Sequence, residues 1–149
     1  MKEKFTKKNI GLAIILFLVI AQFFKIDKVN PVVHSDQDFL SLTNPPEKVA
    51  AMIKNQCYDC HSNESTYPWY SDYAPVSWWV KSNVNGAREH MNFSTWGLLS
   101  EKKKIANIEE TIEALEEGEM PVAIYVLGHE KAQFSDEDNK ALLDWFKNQ

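Results

Sequence analysis

The sequence predicts an all-α domain that follows an N-terminal membrane helix. Two observations indicate helices: apolar residues recur every three or four positions, and Ser or Thr side chains stand where helices would begin. A third observation is that no run of alternating apolar and polar residues, the pattern of a half-buried strand, is found. With 149 residues and a leading apolar segment, the chain has room for one domain.

Residues 1–28 are predicted to be an uncleaved signal anchor. Lysines dominate the first eight residues, and the chain from Ile10 to Phe24 is apolar apart from Gln22. No small-x-small cleavage triplet follows Val19, so an anchor is favoured over a cleaved signal peptide, although the apolar run is near the lower length limit for a spanning helix. The positive-inside rule predicts a single pass through the inner membrane, with the rest of the chain in the periplasm.

Residues 29–42 are predicted to be an irregular tether, because they are mostly polar and contain Pro31. A helix is predicted to begin between Thr43 and Glu47, where a capping side chain, prolines and an acid follow one another. Four residues would share one side of this helix, which leads directly into Cys57: Val49, Met52, Ile53 and Gln56. The predicted domain covers residues 43–149.

The stretch that follows this helix carries the strongest chemical signal in the chain. Cys57 and Cys60 are three residues apart, and His61 follows directly. This is the attachment pattern of a c-type haem, in which both thiols form thioethers with the haem vinyl groups and the histidine ligates the iron. We therefore predict one covalent haem c.

Three other interpretations of the same residues are less favourable. The chain has only two cysteines, so a zinc site would have to recruit scattered histidines. A thioredoxin-like dithiol would need alternating strands and helices, a pattern that the sequence lacks. A structural disulfide would close a loop too short to contribute much entropy.

Further elements are predicted after the motif. An aromatic loop from Ser62 to Pro75 is interpreted as covering a face or edge of the haem, or as simply filling the core. A weak helix from Val76 to His90 and a turn at residues 92–96 precede a clear helix that Ser100 opens and Gly118 ends. Ser135 opens the last helix. The apolar residues assigned to the buried sides of the two later helices are Ile105, Ile108, Ile112, Leu115, Ala141, Leu142, Trp145 and Phe146.

The sixth coordination position of the iron decides between functions. Met120 is the first candidate, because it lies in a non-helical turn before Pro121 and far along the chain from His61. His129, beside Gly128, is the alternative ligand, and His90 is assigned to the surface.

Charge and ligation together define the predicted function. Beyond Lys28 the chain has ten basic and nineteen acidic residues, so no basic patch is left for nucleic acid. An iron with two protein ligands favours electron transfer over catalysis, with membrane or periplasmic redox partners. The alternative is a ligand sensor or a peroxidase-like domain with an open or displaceable sixth position, although Arg88 with His90 is the only distal pair on offer.

The combined motifs resemble two known groups of proteins. The succession of helix, haem motif, aromatic loop, late Gly-x-Met-Pro and terminal helix is similar to class I cytochromes c, over residues 43–149. More specifically, the chain resembles a bacterial haem-binding domain family found in membrane-anchored proteins. The motifs that carry this resemblance are Cys57 to Asn63, Tyr67 to Tyr70, Pro75 to Trp79, Asn92 to Ser94, and Met120-Pro121 with His129. It implies a cytochrome c-like fold around one haem; Asn83 stands where a histidine is expected, so no role for that histidine is carried over.

Overall fold

The computed structural model describes residues 7–149, and none of these residues forms a strand. The α-helices in this part of the chain are α1 (Lys7–Ala21), α2 (Phe39–Thr43), α3 (Glu47–Gln56), α4 (Tyr58–His61), α5 (Val76–His90), α6 (Glu101–Glu116), α7 (Ala123–Gly128) and α8 (Asp136–Phe146). Short 3-10 helices lie at Ser35–Gln37, Trp69–Asp72, Phe93–Leu98 and Glu130–Ala132. The all-α prediction is confirmed.

The apolar N-terminal segment forms α1, which has 15 residues. Among residues 7–149 no helix is both long and apolar enough to cross a membrane, so the predicted membrane helix is not found in that part of the chain. Lys2 and Lys4 of the predicted basic segment lie outside the described residues. The single-pass anchor over residues 1–28 stays a prediction.

The described chain forms two compact units. The first comprises residues 7–29 and 67–83, and therefore contains α1 and the first half of α5. The second comprises residues 30–66 and 84–149. The single domain over residues 43–149 stays a prediction. Within the first unit, the later part of the aromatic loop is hydrogen bonded to the segment that follows α1. The Gln22 side chain, for example, bonds both backbone groups of Ala74.

The core of the second unit includes a residue from the predicted tether. Phe39, which is fully buried, packs its ring against Phe93, Trp96 and Phe146 at centroid distances of 4.9, 4.8 and 6.1 Å. The carboxylate of Asp38 accepts a hydrogen bond from the backbone N–H of Leu40 and so caps α2. Residues 29–42 are therefore not an irregular tether throughout, since the burial of one aromatic side chain holds their second half in a short helix.

The later helices mostly follow their predicted boundaries. α3 buries the four predicted residues Val49, Met52, Ile53 and Gln56, and α5 has the predicted bounds. The side chains of Ser100 and Ser135 cap α6 and α8 as predicted, and Gly118 ends the α6 region with a φ of +70°. Ile105 and Ala141 were wrongly assigned to buried sides, because both are exposed. Helix α7 was not predicted.

Candidate haem site

The haem motif lies at the junction of two helices of the second unit. The backbone N–H of Cys57 donates to the carbonyl of Ile53 at 2.9 Å, which completes the last turn of α3. The backbone N–H of His61 donates to the carbonyl of Cys57 at 2.9 Å, which closes the single turn α4. Consecutive helical turns therefore place the two thiols and the imidazole of the motif close together.

The His61 ring is held by a backbone carbonyl. Its Nδ1 atom lies 3.1 Å from the oxygen of Met91, so Nδ1 carries the proton and donates it there. Burial lowers the pKa of His61, and the Met91 contact offsets this only in part. The neutral imidazole therefore has a free Nε2 lone pair, which is the form that ligates a metal.

The segment after His61 is fixed to the segment that supplies the Met91 carbonyl. The backbone N–H of Asn63 donates to Oγ of Ser94 at 3.0 Å, and the Asn92 amide donates to Oδ1 of Asn63 at 2.8 Å. The Asn92 side chain also caps the 3-10 helix by accepting from the backbone N–H of Ser94. These contacts connect two motifs that are far apart in sequence, and they set the position of the Met91 carbonyl relative to the His61 ring.

A cavity of about 330 Å³ opens beside the motif. Its lining includes Cys57, His61 and Met120. The predicted iron ligand His61 and the favoured candidate for the sixth position, Met120, therefore line the same cavity. Its apolar lining comes from Met91, Phe93, Ala114, Leu115, Leu142 and Phe146. The volume is within the range of small-molecule sites, about 300 to 1,000 Å³, and a mainly apolar wall suits a flat aromatic guest.

Three polar atoms on two buried side chains of the cavity wall lack hydrogen-bond partners among the described residues. The structure records Oε1 of Gln56 and both polar atoms of the Asn107 amide as buried and without a hydrogen bond among the described residues. Asn107 is only 2% exposed. Because an unpaired buried amide is costly, such groups on a cavity wall indicate that a polar part of a bound molecule belongs there. The donor set and these amides therefore fit a haem.

The two cysteines are half-buried, and desolvation keeps their thiols protonated. Burial, followed by the charge of Cys60, raises the pKa of Cys57 to about 12. Burial and then the charge of Asp59 raise the pKa of Cys60. A dithiol redox pair or a thiolate metal site needs lowered values instead. Within residues 7–149, no group of three or more His, Cys, Asp or Glu residues is placed to hold a metal ion by itself.

The alternative ligand His129 is not among the residues that line the cavity. Its ring stacks on the Tyr125 ring at a centroid distance of 4.1 Å, and its Nδ1 atom lies 2.8 Å from the backbone carbonyl oxygen of Tyr125. The Tyr125 hydroxyl donates to the Asp59 carboxylate at 2.7 Å, which fixes α7 against the haem motif. His129 is thus ordered next to the motif through Tyr125.

His90 and Arg88 do not form the distal pair that catalysis would need. His90, assigned to the surface from sequence, is exposed but also lines the cavity, and its Nε2 atom lies 3.1 Å from the Glu110 carboxylate. Arg88 is absent from the lining and holds the chain after the motif, donating to the Ser62 carbonyl at 2.6 Å and to the Ser65 hydroxyl at 2.8 Å.

Sequence reasoning missed the contributions of Met91 and Asn107. Met91 acts through its backbone carbonyl, which has no side-chain signature. Asn107, Thr111 and Ala114 form a polar and small stripe on α6 beside the apolar one, and all three line the cavity. That stripe, at helical spacing, was the available signal.

A helical domain in which a thiol, an imidazole and a thioether meet at one mainly apolar cavity defines a cofactor-binding protein. A family model described as a haem-binding domain matches residues 16–148. The chain therefore belongs to the haem-binding domain family, and haem binding is the function that this membership supports. Comparison with curated proteins found no match, and comparison with solved structures found none.

Proposed function

We propose that the protein is a monohaem c-type cytochrome that transfers electrons at the periplasmic face of the inner membrane. The observation that carries the proposal is the shared cavity, which Cys57, His61 and Met120 all line. Family membership supports haem, and the adjacency of Cys57, Cys60 and His61 in the sequence supports covalent attachment of a single haem.

Each residue has a defined role in this proposal. Cys57 and Cys60 attach the cofactor as thioethers, and His61 ligates the iron through Nε2, since Nδ1 donates to Met91. The Met120 thioether would supply the second protein ligand to the iron. When bound, the haem supplies one-electron exchange between ferric and ferrous iron, and a methionine ligand favours the ferrous state. The apolar wall keeps water away, while Asn107 offers its amide to the bound group.

A displaceable sixth ligand is the second candidate, and the exposure of Met120 favours it. Met120 is 42% exposed, so its side chain is held less firmly than that of His61. If Met120 did not hold this position, a bound haem would be open to a small gas, and the protein would act as a ligand sensor or a peroxidase-like domain. Arg88 holds the chain after the motif by donating to the Ser62 carbonyl, so it does not serve as a distal catalytic group. This favours the sensor over the peroxidase.

The membrane location is proposed from the N-terminal sequence. The basic residues before Ile10 and the apolar residues of α1 favour attachment through residues 1–28. A c-type haem also fits this location. An anchored haem domain in the periplasm would accept electrons from a membrane donor and pass them to a periplasmic acceptor.

Two measurements on protein from a host with a haem-attachment system test the proposal. The denatured chain should be heavier than its polypeptide by the mass of one haem, and acidified organic solvent should leave the haem in place. The ferrous spectrum should be low-spin and should not change quickly with carbon monoxide. Intact haem in the solvent would refute covalent attachment, and rapid carbon monoxide binding would favour the sensor. In the Cys57→Ser, Cys60→Ser control, the added mass should be lost.

A further inference from the structure

The first unit exposes large apolar and aromatic side chains on two of its segments. On α1 the large apolar residues from Ile10 to Ile20 are 40 to 60% exposed. In the segment from Trp69 to Trp79, Trp69 is 76%, Tyr73 is 59% and Trp79 is 52% exposed. Such contiguous exposure indicates a contact surface. Here, "the aromatic surface" means Trp69, Tyr73 and Trp79.

Three contacts fix this segment to the residues that follow α1. The Gln22 amide donates to the Ala74 carbonyl at 2.9 Å and accepts from the Ala74 N–H at 3.1 Å. The indole N–H of Trp78 donates to the carbonyl of Phe24 at 2.8 Å, and the Lys28 ammonium pairs with the Asp72 carboxylate at 2.6 Å. The aromatic segment therefore lies at the C-terminal end of the apolar helix.

The charge of the first unit differs in sign from that of the second. Its residues on the C-terminal side of α1 include three lysines and two aspartates, a net charge of +1, whereas the whole chain has a net charge of −5. Lys7 and Lys8 stand at the other end of α1, on the cytoplasmic side of the proposed anchor. Lys25 is exposed directly after the apolar helix. A cationic unit is attracted to anionic lipid headgroups, and a strongly acidic remainder is repelled from them.

We propose that the aromatic surface binds the lipid bilayer at headgroup level, beside the point where α1 leaves the membrane. Tryptophan and tyrosine rings prefer this boundary, because the ring contacts lipid while the N–H or O–H stays hydrated. The inference rests on the proposed membrane attachment and extends it: the protein contacts lipid with residues 69–79 as well as with its N-terminal segment. The bilayer, rather than a second protein, is the occupant that the continuity with α1 and the positive charge favour.

Photolabelling of the haem-loaded full chain in vesicles tests this proposal. The vesicles contain phosphatidylethanolamine, phosphatidylglycerol and a phospholipid with a diazirine next to its glycerol group, and adducts are located by mass spectrometry. We expect adducts on α1 and on residues 69–79, with severalfold less at Leu127, which is 81% exposed in the second unit. A Trp69→Ser, Trp79→Ser variant should lose the adducts on the loop and keep those on α1.

The outcomes separate this proposal from the membrane attachment on which it rests. Adducts on α1 alone would overturn the aromatic surface and leave the attachment intact. Adducts on neither segment, with the protein in the supernatant after centrifugation, would overturn both. Equal labelling of the loop and Leu127 would also overturn the proposal, as would crosslinks from the loop to a second copy of the chain in place of lipid.

Discussion

The Nδ1 atom of His61 and the backbone oxygen of Met91 lie 3.1 Å apart. This contact orients the imidazole from a chain segment that the motif does not contain, since Met91 follows α5. The carbonyl is positioned by Asn92, whose side chain caps the next 3-10 helix and also donates to Asn63. The direction of the His61 Nε2 lone pair therefore depends on two asparagines that do not touch it.

Replacing Met120 with alanine is expected to change the iron site without preventing haem attachment. The weak near-infrared band of thioether bound to ferric iron should disappear, and the reduction potential should fall, because the soft sulfur ligand stabilises ferrous iron. The matched control is His129→Ala, which should leave the spectrum unchanged, since His129 stacks on Tyr125 and does not line the cavity. If the control becomes high-spin and the Met120 variant resembles the parent, both axial ligands are histidines.

Replacing Asn107 with leucine tests the meaning of its unpaired amide. In the haem-loaded protein we expect a loss of about 1 to 3 kcal/mol in the free energy of unfolding, because the bound group or a water molecule beside it pairs with this amide. Asn85→Leu, on the exposed side of α5, should change stability by less than about 0.5 kcal/mol. Denaturant titration of both variants measures the difference. An Asn107 variant as stable as the parent would show that the amide has no partner in the loaded protein.

Replacing Phe39 with alanine is expected to destabilise the second unit strongly. Its ring is completely buried among other aromatic rings, and emptying such a site costs about 3 to 5 kcal/mol. Leu42→Ala, on the same short helix but 50% exposed, should cost much less. Thermal unfolding followed by circular dichroism compares the two. If both substitutions lowered the stability equally little, residues 29–42 would be a tether that does not contribute to the core.

Acid should weaken the link between α3 and α8. The Asp138 carboxylate pairs with the Lys48 ammonium, and the backbone N–H of Asp138 donates to Oγ of Ser135 at 3.1 Å, which caps α8. Hydrogen bonds from Lys48 and then Ser135 lower the pKa of Asp138 below its usual 3.8. A lowered folded-state pKa contributes stability that is present above 3.8 and is lost as the pH falls through the lower value.

The Asp138→Asn variant measures this contribution. It should be less stable than the parent at neutral pH, and the difference should vanish in strong acid, where the parent carboxylate is protonated too. Because Lys48 is exposed and Asp138 is only half-buried, the difference should also shrink in high salt. A difference that persists unchanged at the acid end would mean that the carboxylate charge is not its source.

The elements that the sequence predicted well are those with local signals. α3 was predictable because four buried residues recur at helical spacing before the motif, and α6 and α8 because a serine caps each one. The haem motif was predictable because its three residues are contiguous in the chain. Such features need no knowledge of distant segments.

The features that escaped prediction depend on residues far apart in the chain. Phe39 is buried only because aromatic rings from residues 93, 96 and 146 surround it. The aromatic loop was interpreted as covering the haem or as filling the core. Its hydrogen bonds to the segment after α1 were not predicted, because no local pattern encodes a pairing across some 50 positions. The burial of Asn107 likewise follows from the packing of the whole unit.

The backbone after the haem motif is ordered without regular secondary structure. The N–H groups of Asn63, Glu64 and Thr66 donate to side-chain oxygens of Ser94, Ser62 and Asp59, at 3.0, 2.9 and 2.9 Å. Amide hydrogens in such bonds exchange with solvent only when the local structure opens. Exchange at these three amides should therefore be as slow as in a helix. In a variant that releases the His61 ring from Met91, exchange at these amides should become faster before the helix content changes.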